Sequence, residues 1–172
     1  MKNSSAALIG AAFLLACIGC GQTEVSQNPT DYSPALIVAD GATRIVYDQN
    51  RGAEQVAYSV EIPYPADGFI QDLEGRLSGQ GWLPLKADFM NPKLPTAHVT
   101  GWVDQTDMRV RPPLRVHAWN AEWANGDGDI LVYVLSYSYP KDGPADLSRL
   151  NVMALQIPKK AADRAIRQVD KF

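Results

Sequence analysis

The sequence predicts an α+β domain: a two-layer, mostly antiparallel sheet with two helices on one face, after a signal peptide and a polar tether. Three observations predict this class. Alternating apolar residues indicate strands, two segments with helical spacing indicate helices, and a glycine-rich turn joins the two longest strands. The predicted order along the chain is β-β-α-β-β-β-β-β-α.

The first element is an export signal. Lys2 precedes an almost unbroken apolar run from Ala6 to Ile18. This run is shorter than the roughly 20 apolar residues that a transmembrane helix needs, and a charged start before a short apolar run is typical of secretory signals. Because the chain becomes polar directly after Gly21, the run is not part of the folded core. We predict a signal peptide over residues 1–16.

Both cysteines of the chain, Cys17 and Cys20, lie at the end of this run. The segment Leu14-Leu15-Ala16-Cys17 resembles the lipobox of bacterial lipoproteins, in which a small residue precedes the lipidated cysteine. The resemblance implies that the cysteine sulfur receives a diacylglyceryl group, that the signal is cut immediately before it, and that the new amino terminus is acylated, with palmitate as the expected chain. Cys17 is the predicted attachment residue. Cys20 is the alternative attachment residue. It is less favoured because the usual Leu three positions upstream is missing.

Other interpretations of the C-x-x-C spacing have less support. A redox pair needs a folded βαβ context, which is missing here. A structural zinc site needs two further ligands, and only His98 and His117 remain, far apart in the sequence. Cleavage at a small-x-small site after Gly19 or Gly21 would simply remove the cysteines with the signal, and this alternative stays open.

The expected mature chain has two parts: a lipidated cysteine with a flexible tether over residues 17–34, and one globular domain over residues 35–172. Loss of Lys2 leaves 15 basic against 19 acidic residues. This balance argues against a nucleic-acid partner and against electrostatic adhesion to anionic lipid. We expect attachment to the bacterial cell envelope through the N-terminal acyl chains, at the outer membrane if the organism is Gram-negative.

The first strands of the domain are predicted at residues 43–47 and 55–62, joined across residues 48–52. The second strand alternates, which places its apolar side chains on one face: Val56, Tyr58, Val60 and Ile62. A helix from about Asp67 follows, with Phe69, Ile70, Leu73 and Leu77 at helical spacing and glycines at its exit.

Weaker signals occupy the middle of the chain. Residues 82–85 predict a short strand at a sheet edge, because Pro84 cannot donate to a central ladder. Residues 86–98 predict a loop of unusual length, and such loops often carry function. Another short strand is predicted at residues 99–103.

The strongest structural signal is a hairpin over residues 114–140, whose turn Asn125-Gly126-Asp127-Gly128 is flanked by runs of aromatic and β-branched residues. A last strand is predicted at residues 151–157. A short amphipathic helix is predicted from Pro158 to about Lys171, because proline suits a first helical position.

The turn also resembles the start of a calcium-binding loop, with oxygen-bearing side chains at alternate positions. An EF-hand requires Gly at its sixth position and Glu at its twelfth, where this chain has Ile130 and Ser136. We therefore predict a tight turn without calcium, in which Gly126 or Gly128 has a positive φ.

The first hairpin strand contains the candidate ligand-binding residues, His117, Trp119 and Trp123, which alternation places on one face with Arg115. Such a face is typical of a stacking surface for a sugar or an aromatic ligand. The alternative, which we favour for at least one tryptophan, is that Trp119 and Trp123 are core residues. In that case Asn120 and Glu122, on the other face, point to water.

No catalytic motif is present: the chain lacks the hydrolase elbow, the zinc-protease helix motif and a phosphate-binding glycine loop. His98, His117, Asp104, Asp107 and Glu122 have no spacing that brings them together. The sequence predicts no catalytic residue, metal or cofactor, and favours a domain that binds an envelope protein or a small ligand. The alternatives are a small envelope hydrolase that uses His98 or His117, and a surface-presented inhibitor of an exogenous enzyme.

Overall fold

A computed structural model describes residues 32–50, 52–85, 102–161 and 163 of the chain. Seven strands and one complete helix lie in these ranges: β1 Thr43–Asn50, β2 Ala53–Val60, α1 Asp67–Gly79, β3 Leu83–Pro84, β4 Val103–Asp107, β5 Leu114–Ala124, β6 Ile130–Pro140 and β7 Leu150–Ile157. Residues 159–161 are helical, where the second helix is predicted to begin. Of the rest of that predicted helix only residue 163, also helical, is among the described residues.

The strands form one sheet in the order β1-β2-β7-β6-β5-β3, with β4 also paired to β5. Every pairing among the described strands is antiparallel. The predicted α+β class with a mostly antiparallel sheet is therefore confirmed. Within the described ranges, no helix combines the length and hydropathy needed to cross a bilayer.

The first hairpin is longer than predicted. β1 does not end at residue 47 but continues to Asn50, which pairs with Ala53, so that only residues 51 and 52 connect the strands. Gly52 has φ +86°, which suits a two-residue turn. Pairing with β2 overrides the low strand propensity of Asp48 and Asn50, because propensity is a weak guide where a ladder partner is available.

The described strand after the predicted long loop, β4, spans Val103–Asp107 and pairs with Leu114–Ala118 of β5. Of the strand predicted at residues 99–103, residues 99–101 lie outside the described residues, and only Val103 belongs to β4. The sequence did not reveal it because β4 is a mostly exposed edge strand and needs no apolar alternation. Its position follows from its partner. The long loop predicted at residues 86–98 lies outside the described residues.

One face of the sheet, here called the core face, packs against α1. Leu73 and Leu77 of the helix are 1% and 0% exposed, as their helical spacing predicts. They share a buried cluster with residues from four strands: Val56, Tyr58, Val60, Trp119, Trp123, Tyr133, Leu135, Leu150 and Val152. The amphipathic helix thus covers the alternating apolar positions of the sheet.

The segment before β1 also lies on the core face. The hydroxyl of Tyr133 donates to the carbonyl of Ala35 at 2.6 Å and accepts from the backbone N–H of Ile37 at 2.8 Å. The backbone N–H of Ser33 donates to Oε2 of Glu54 at 2.8 Å. The contacts of the domain therefore begin at least two residues before the boundary predicted at residue 35.

The opposite face is not the solvent-exposed surface that we predicted. Glu122 is only 6% exposed, which makes the prediction that this side chain points to water wrong. Its cross-strand neighbour Val132 is 4% exposed, and Ile130 is 8% exposed. Ile130 and Val132 form a second apolar cluster with Leu85, Ala124, Val134 and Ile157. Alternation alone did not show this, because Asn120 and Glu122 are polar exceptions within an apolar surface.

Candidate ligand-binding surface

The predicted site residues separate into two environments. Trp119 and Trp123 are 4% and 1% exposed and belong to the buried cluster of the core face, which confirms the core alternative for both. Trp123 packs edge-on against Tyr133, with ring centroids 5.9 Å apart. Neither tryptophan offers a ring face to solvent, so neither serves as a stacking platform.

His117 lies on the same face as these tryptophans but has different aromatic neighbours. Its ring stacks on Trp102, with ring centroids 5.2 Å apart and ring planes 5° from parallel. It packs edge-on against Tyr64, with ring centroids 4.9 Å apart and an angle of 73° between the ring planes. Tyr137, directly across from His117 on β6, completes the group. We call these four residues the distal cluster.

Three parts of the chain hold the distal cluster together. Trp102 directly precedes β4, while Tyr64 follows β2 and is tied by its backbone N–H to the carbonyl of Leu147 at 2.9 Å. The hydroxyl of Tyr137 donates to the carbonyl of Ile62 at 3.0 Å. Burial raises the pKa of this hydroxyl to about 12, so it remains a donor at physiological pH.

Sequence reasoning missed Trp102 and Tyr64. Neither belongs to an alternating strand, and 38 positions separate them from each other. The cross-strand register of β4 and β5 brings Trp102 beside His117, and the residues after β2 bring Tyr64 there. The only local signal was the aromatic character of the two residues, which is shared by many core positions.

A carboxylate completes the surroundings of His117. Nδ1 of His117 lies 2.5 Å from Oδ1 of Asp104, which is directly opposite on β4. The imidazole side chain is 18% exposed and the carboxylate 78%. Such a contact orients the ring and assigns Nδ1 to the carboxylate, which leaves Nε2 as the nitrogen for any proton transfer or ligand hydrogen bond.

The other polar residues considered for this site do not join it. Asp107 accepts three hydrogen bonds of 2.9 Å from Arg109, two from the guanidinium and one from the backbone N–H, and the guanidinium lowers the pKa of that carboxyl to about 2. Glu122 lies five residues along β5 from His117 and on the opposite face. His98 lies outside the described residues.

Side-chain oxygens of the hairpin turn accept hydrogen bonds from backbone N–H groups. Oδ1 of Asn125 accepts from the backbone N–H groups of Asp127 and Asp129 at 3.0 and 2.9 Å, and Oδ1 of Asp129 accepts from that of Lys159 at 3.0 Å. Gly128 has φ +83°, which confirms the predicted positive φ. In the described part of the chain, no three His, Cys, Asp or Glu side chains are grouped to hold a metal ion.

No protein-family model, curated protein or solved structure matches this chain. The chemistry of the distal cluster therefore rests on its own geometry. It presents aromatic rings, including a Tyr64 that is 41% exposed, next to an oriented imidazole and an open carboxylate. Exposed aromatic residues beside charged groups are typical of binding surfaces.

Proposed function

We propose that this chain is a lipid-anchored protein of the bacterial cell envelope, whose folded domain binds a partner or ligand at the distal cluster without catalysis. The proposed lipid anchor is supported by the segment Leu14-Leu15-Ala16-Cys17 at the end of a short apolar run. Two or more acyl chains on one cysteine hold a protein stably at a membrane, whereas one chain binds marginally.

The anchor is tested by mass spectrometry of the mature amino terminus in the wild type and in Cys17→Ser and Cys20→Ser variants. We expect a triacylated Cys17 in the wild type and in Cys20→Ser, and an unprocessed, unlipidated chain in Cys17→Ser. Acylation of Cys20 would move the anchor by three residues. An unmodified terminus after Gly19 or Gly21 would overturn the lipoprotein proposal.

The support for binding comes from the distal cluster. The aromatic residues near solvent are Tyr64, Trp102 and His117, whereas Trp119 and Trp123 are buried. Arg115 lies two residues before His117 on the same face of β5. Aromatic rings next to a guanidinium and a carboxylate suit a partner that has both flat apolar and polar groups.

A second function, hydrolysis, is favoured by one observation: the contact between His117 and Asp104. A carboxylate-oriented imidazole is the pairing that general-base catalysis uses, although catalysis also needs a nucleophile or an activated water. None of the described contacts of His117 is with a serine, threonine or cysteine side chain. Binding is therefore the better supported of the two.

The two functions are separated by an assay on activated esters such as p-nitrophenyl acetate. We expect the wild type and His117→Gln to hydrolyse the ester equally slowly, because the imidazole has a structural role in the cluster. A rate that falls at least tenfold in both His117→Gln and Asp104→Asn, with unchanged melting temperatures, would establish the hydrolase instead.

The two-layer arrangement, with both helices on the core face, is part of the same proposal. It is supported by α1, whose Leu73 and Leu77 belong to the core-face cluster. A crystal structure in which the second helix, predicted from Pro158 to Lys171, lies on the opposite face would replace it with three layers.

A further inference from the structure

The segment that leads to the predicted tether leaves the domain at one end of the strands. Ser33 is bonded to Glu54, and the register places Glu54 level with Gln156, Leu131 and Trp123 across the sheet. We call this level the tether end.

The opposite end of the strands carries the distal cluster and, beyond it, the turn between β4 and β5. Residues 108–113 connect the two strands, and the first four of them, residues 108–111, are here called the distal tip. Nine residues along β5 separate Leu114, next to the tip, from Trp123 at the tether end, a distance of roughly 30 Å at about 3.4 Å per residue. The tip thus lies at the far end of the domain from the tether.

Exposed apolar side chains occur at this end. Seven large hydrophobic side chains in the described ranges are exposed, and three of them lie at the distal end: Tyr64, Met108 and Val110. Met108 is 58% exposed and Val110 39%. Exposed apolar residues grouped together are a sign of an interaction site, whereas scattered ones need no explanation.

Basic side chains alternate with the apolar ones in the tip. Arg109 and Arg111 flank Val110, and Arg115 follows on β5. Arg109 is held by Asp107, but neither Arg111 nor Arg115 forms an ion pair within the described residues. The chain as a whole carries a net charge of −3, so this basic tip contrasts with the rest of the molecule. Such a contrast steers an acidic partner to one orientation.

We propose that the distal tip and the distal cluster together form a docking surface for an acidic, partly apolar segment of another protein. This deepens the proposed function by naming the partner class, and it rests on that function only for the direction of the surface relative to the membrane. The guanidinium groups of Arg111 and Arg115 bind carboxylates of the partner, while Met108, Val110 and Tyr64 contact its apolar residues. The exposed carboxylate of Asp104 beside His117 repels the partner's carboxylates and so directs them to the two arginines.

The shape and composition of the tip favour a protein over a small molecule or a bilayer. Small-molecule sites are concave, whereas the tip is a projecting turn with exposed side chains. The tip contains Met108 and Val110 but none of the tryptophan, phenylalanine or leucine residues that anchor proteins in a bilayer interface. The aromatic residues Trp102 and Tyr64 of the distal cluster instead pack against the His117 ring. Methionine adapts to varied partner surfaces, and arginine binds carboxylates through two parallel hydrogen bonds.

The test measures binding of fluorescent peptides to the full lipidated chain in detergent by anisotropy. The probes are an alternating Glu-Leu peptide, a Lys-Leu peptide and a Glu-Ser peptide of equal length. We expect the Glu-Leu peptide to bind at least about tenfold more tightly than either control, with affinity that falls as salt rises. Equal binding of the Glu-Leu and Lys-Leu peptides, or no binding of the Glu-Leu peptide, overturns the proposal.

Variants locate the surface. We expect Arg111→Gln combined with Arg115→Gln, and separately Met108→Ser combined with Val110→Ser, each to weaken Glu-Leu binding roughly tenfold at unchanged melting temperature. The matched control is Ile45→Ser combined with Val46→Ser, since these side chains are 44% and 51% exposed on β1 at the other edge of the sheet. Equal loss in the control variant overturns the proposal.

Two further outcomes separate the possible explanations. Cys17→Ser protein, with and without the Arg111→Gln and Arg115→Gln substitutions, is mixed with vesicles of anionic or neutral phospholipid, so that binding by the uncleaved apolar signal is the same in both proteins. Stronger binding of the protein with an intact tip to the anionic vesicles, without Glu-Leu binding, would assign the surface to a membrane and overturn the protein partner. Tip-dependent binding of the Glu-Leu peptide in a chain that proves to be unlipidated would support the docking surface while the proposed anchor fails.

Discussion

The two halves of the core face share one alternating pattern but differ in what covers them. In the half toward the tether end, Trp119 and Trp123 lie in the same buried cluster as Leu77 of α1. In the distal half, His117 occupies the next position of the same alternation, yet its neighbours are Trp102 and the partly exposed Tyr64. The alternation decides which face a side chain joins, whereas the packing of other segments decides whether it becomes core or surface.

The largest expected effect tests the covered half. Trp123→Ala removes a side chain that is 1% exposed, and we expect a loss of roughly 3–5 kcal/mol in the free energy of unfolding, enough to prevent folding in many domains. Trp102→Ala, next to the open half, should cost about 1–2 kcal/mol, in the range of the aromatic pair contacts it loses. Chemical denaturation measures both. Equal losses would remove the distinction between the two halves.

A smaller effect is expected at the hydroxyl that ties the segment before β1 to the covered half. Tyr133→Phe leaves the Ala35 carbonyl and the Ile37 N–H without this partner, which should cost roughly 1–3 kcal/mol. Tyr139→Phe, at a half-exposed position near the distal end, is the matched control and should change stability by less than about 0.5 kcal/mol. If Tyr133→Phe leaves the free energy of unfolding unchanged, the hydrogen bonds from this hydroxyl to the segment before β1 contribute little to stability.

The turn at the tether end offers a third comparison. Gly128 has φ +83°, and an added Cβ would lie 3.0 Å from Cδ of Lys159, whereas Gly126 has open space around it and no positive φ. Gly128→Val should therefore lower the free energy of unfolding by roughly 1 kcal/mol or more, and by more than Gly126→Val does. Calcium should leave the melting temperature unchanged. A calcium-dependent rise would contradict the assignment of this loop as a plain turn.

The smallest effect concerns pH at the distal end. The pKa of Asp107 is lowered from its ordinary value of 3.8 to about 2, first by the side-chain hydrogen bond from Arg109. A lowered carboxyl pKa contributes stability that is fully present above pH 3.8 and is lost as the pH falls toward 2. This contribution is small because the pair lies at an exposed turn. Carboxyl NMR titration should show the low pKa in the wild type and an ordinary one in Arg109→Gln; unchanged titration in the variant would remove Arg109 as the cause.

Much of the fold was predictable because its signals are local. The positions of α1, β2 and the long β5–β6 hairpin follow from apolar spacing and from the turn at residues 125–128. The predicted end of β1 was wrong and residues 104–107 of β4 were not predicted as strand, since both are decided by a partner strand rather than by their own residues. Polar edge strands have no alternation from which to predict them.

The candidate site was predictable only in part. His117 was named from its strand, and the two tryptophans beside it were correctly favoured as core. Trp102 and Tyr64 could not be assigned to the same site, because their proximity depends on the pairing of β4 with β5 and on the chain path after β2. Glu122 was misplaced for a similar reason: its polarity indicated solvent, but the surface around it is apolar and buried.

By itself, the sequence determined the export and lipidation prediction, the order of the elements and the face on which each strand residue of the hairpin lies. These depend on residue type and spacing within a few positions, where sterics and hydrogen bonding act locally. Only the tertiary structure decided which part of the core face is covered and which side chains meet at the distal cluster. That decision depends on contacts between segments dozens of residues apart, whose stability comes from the area they bury together rather than from any pattern within one of them.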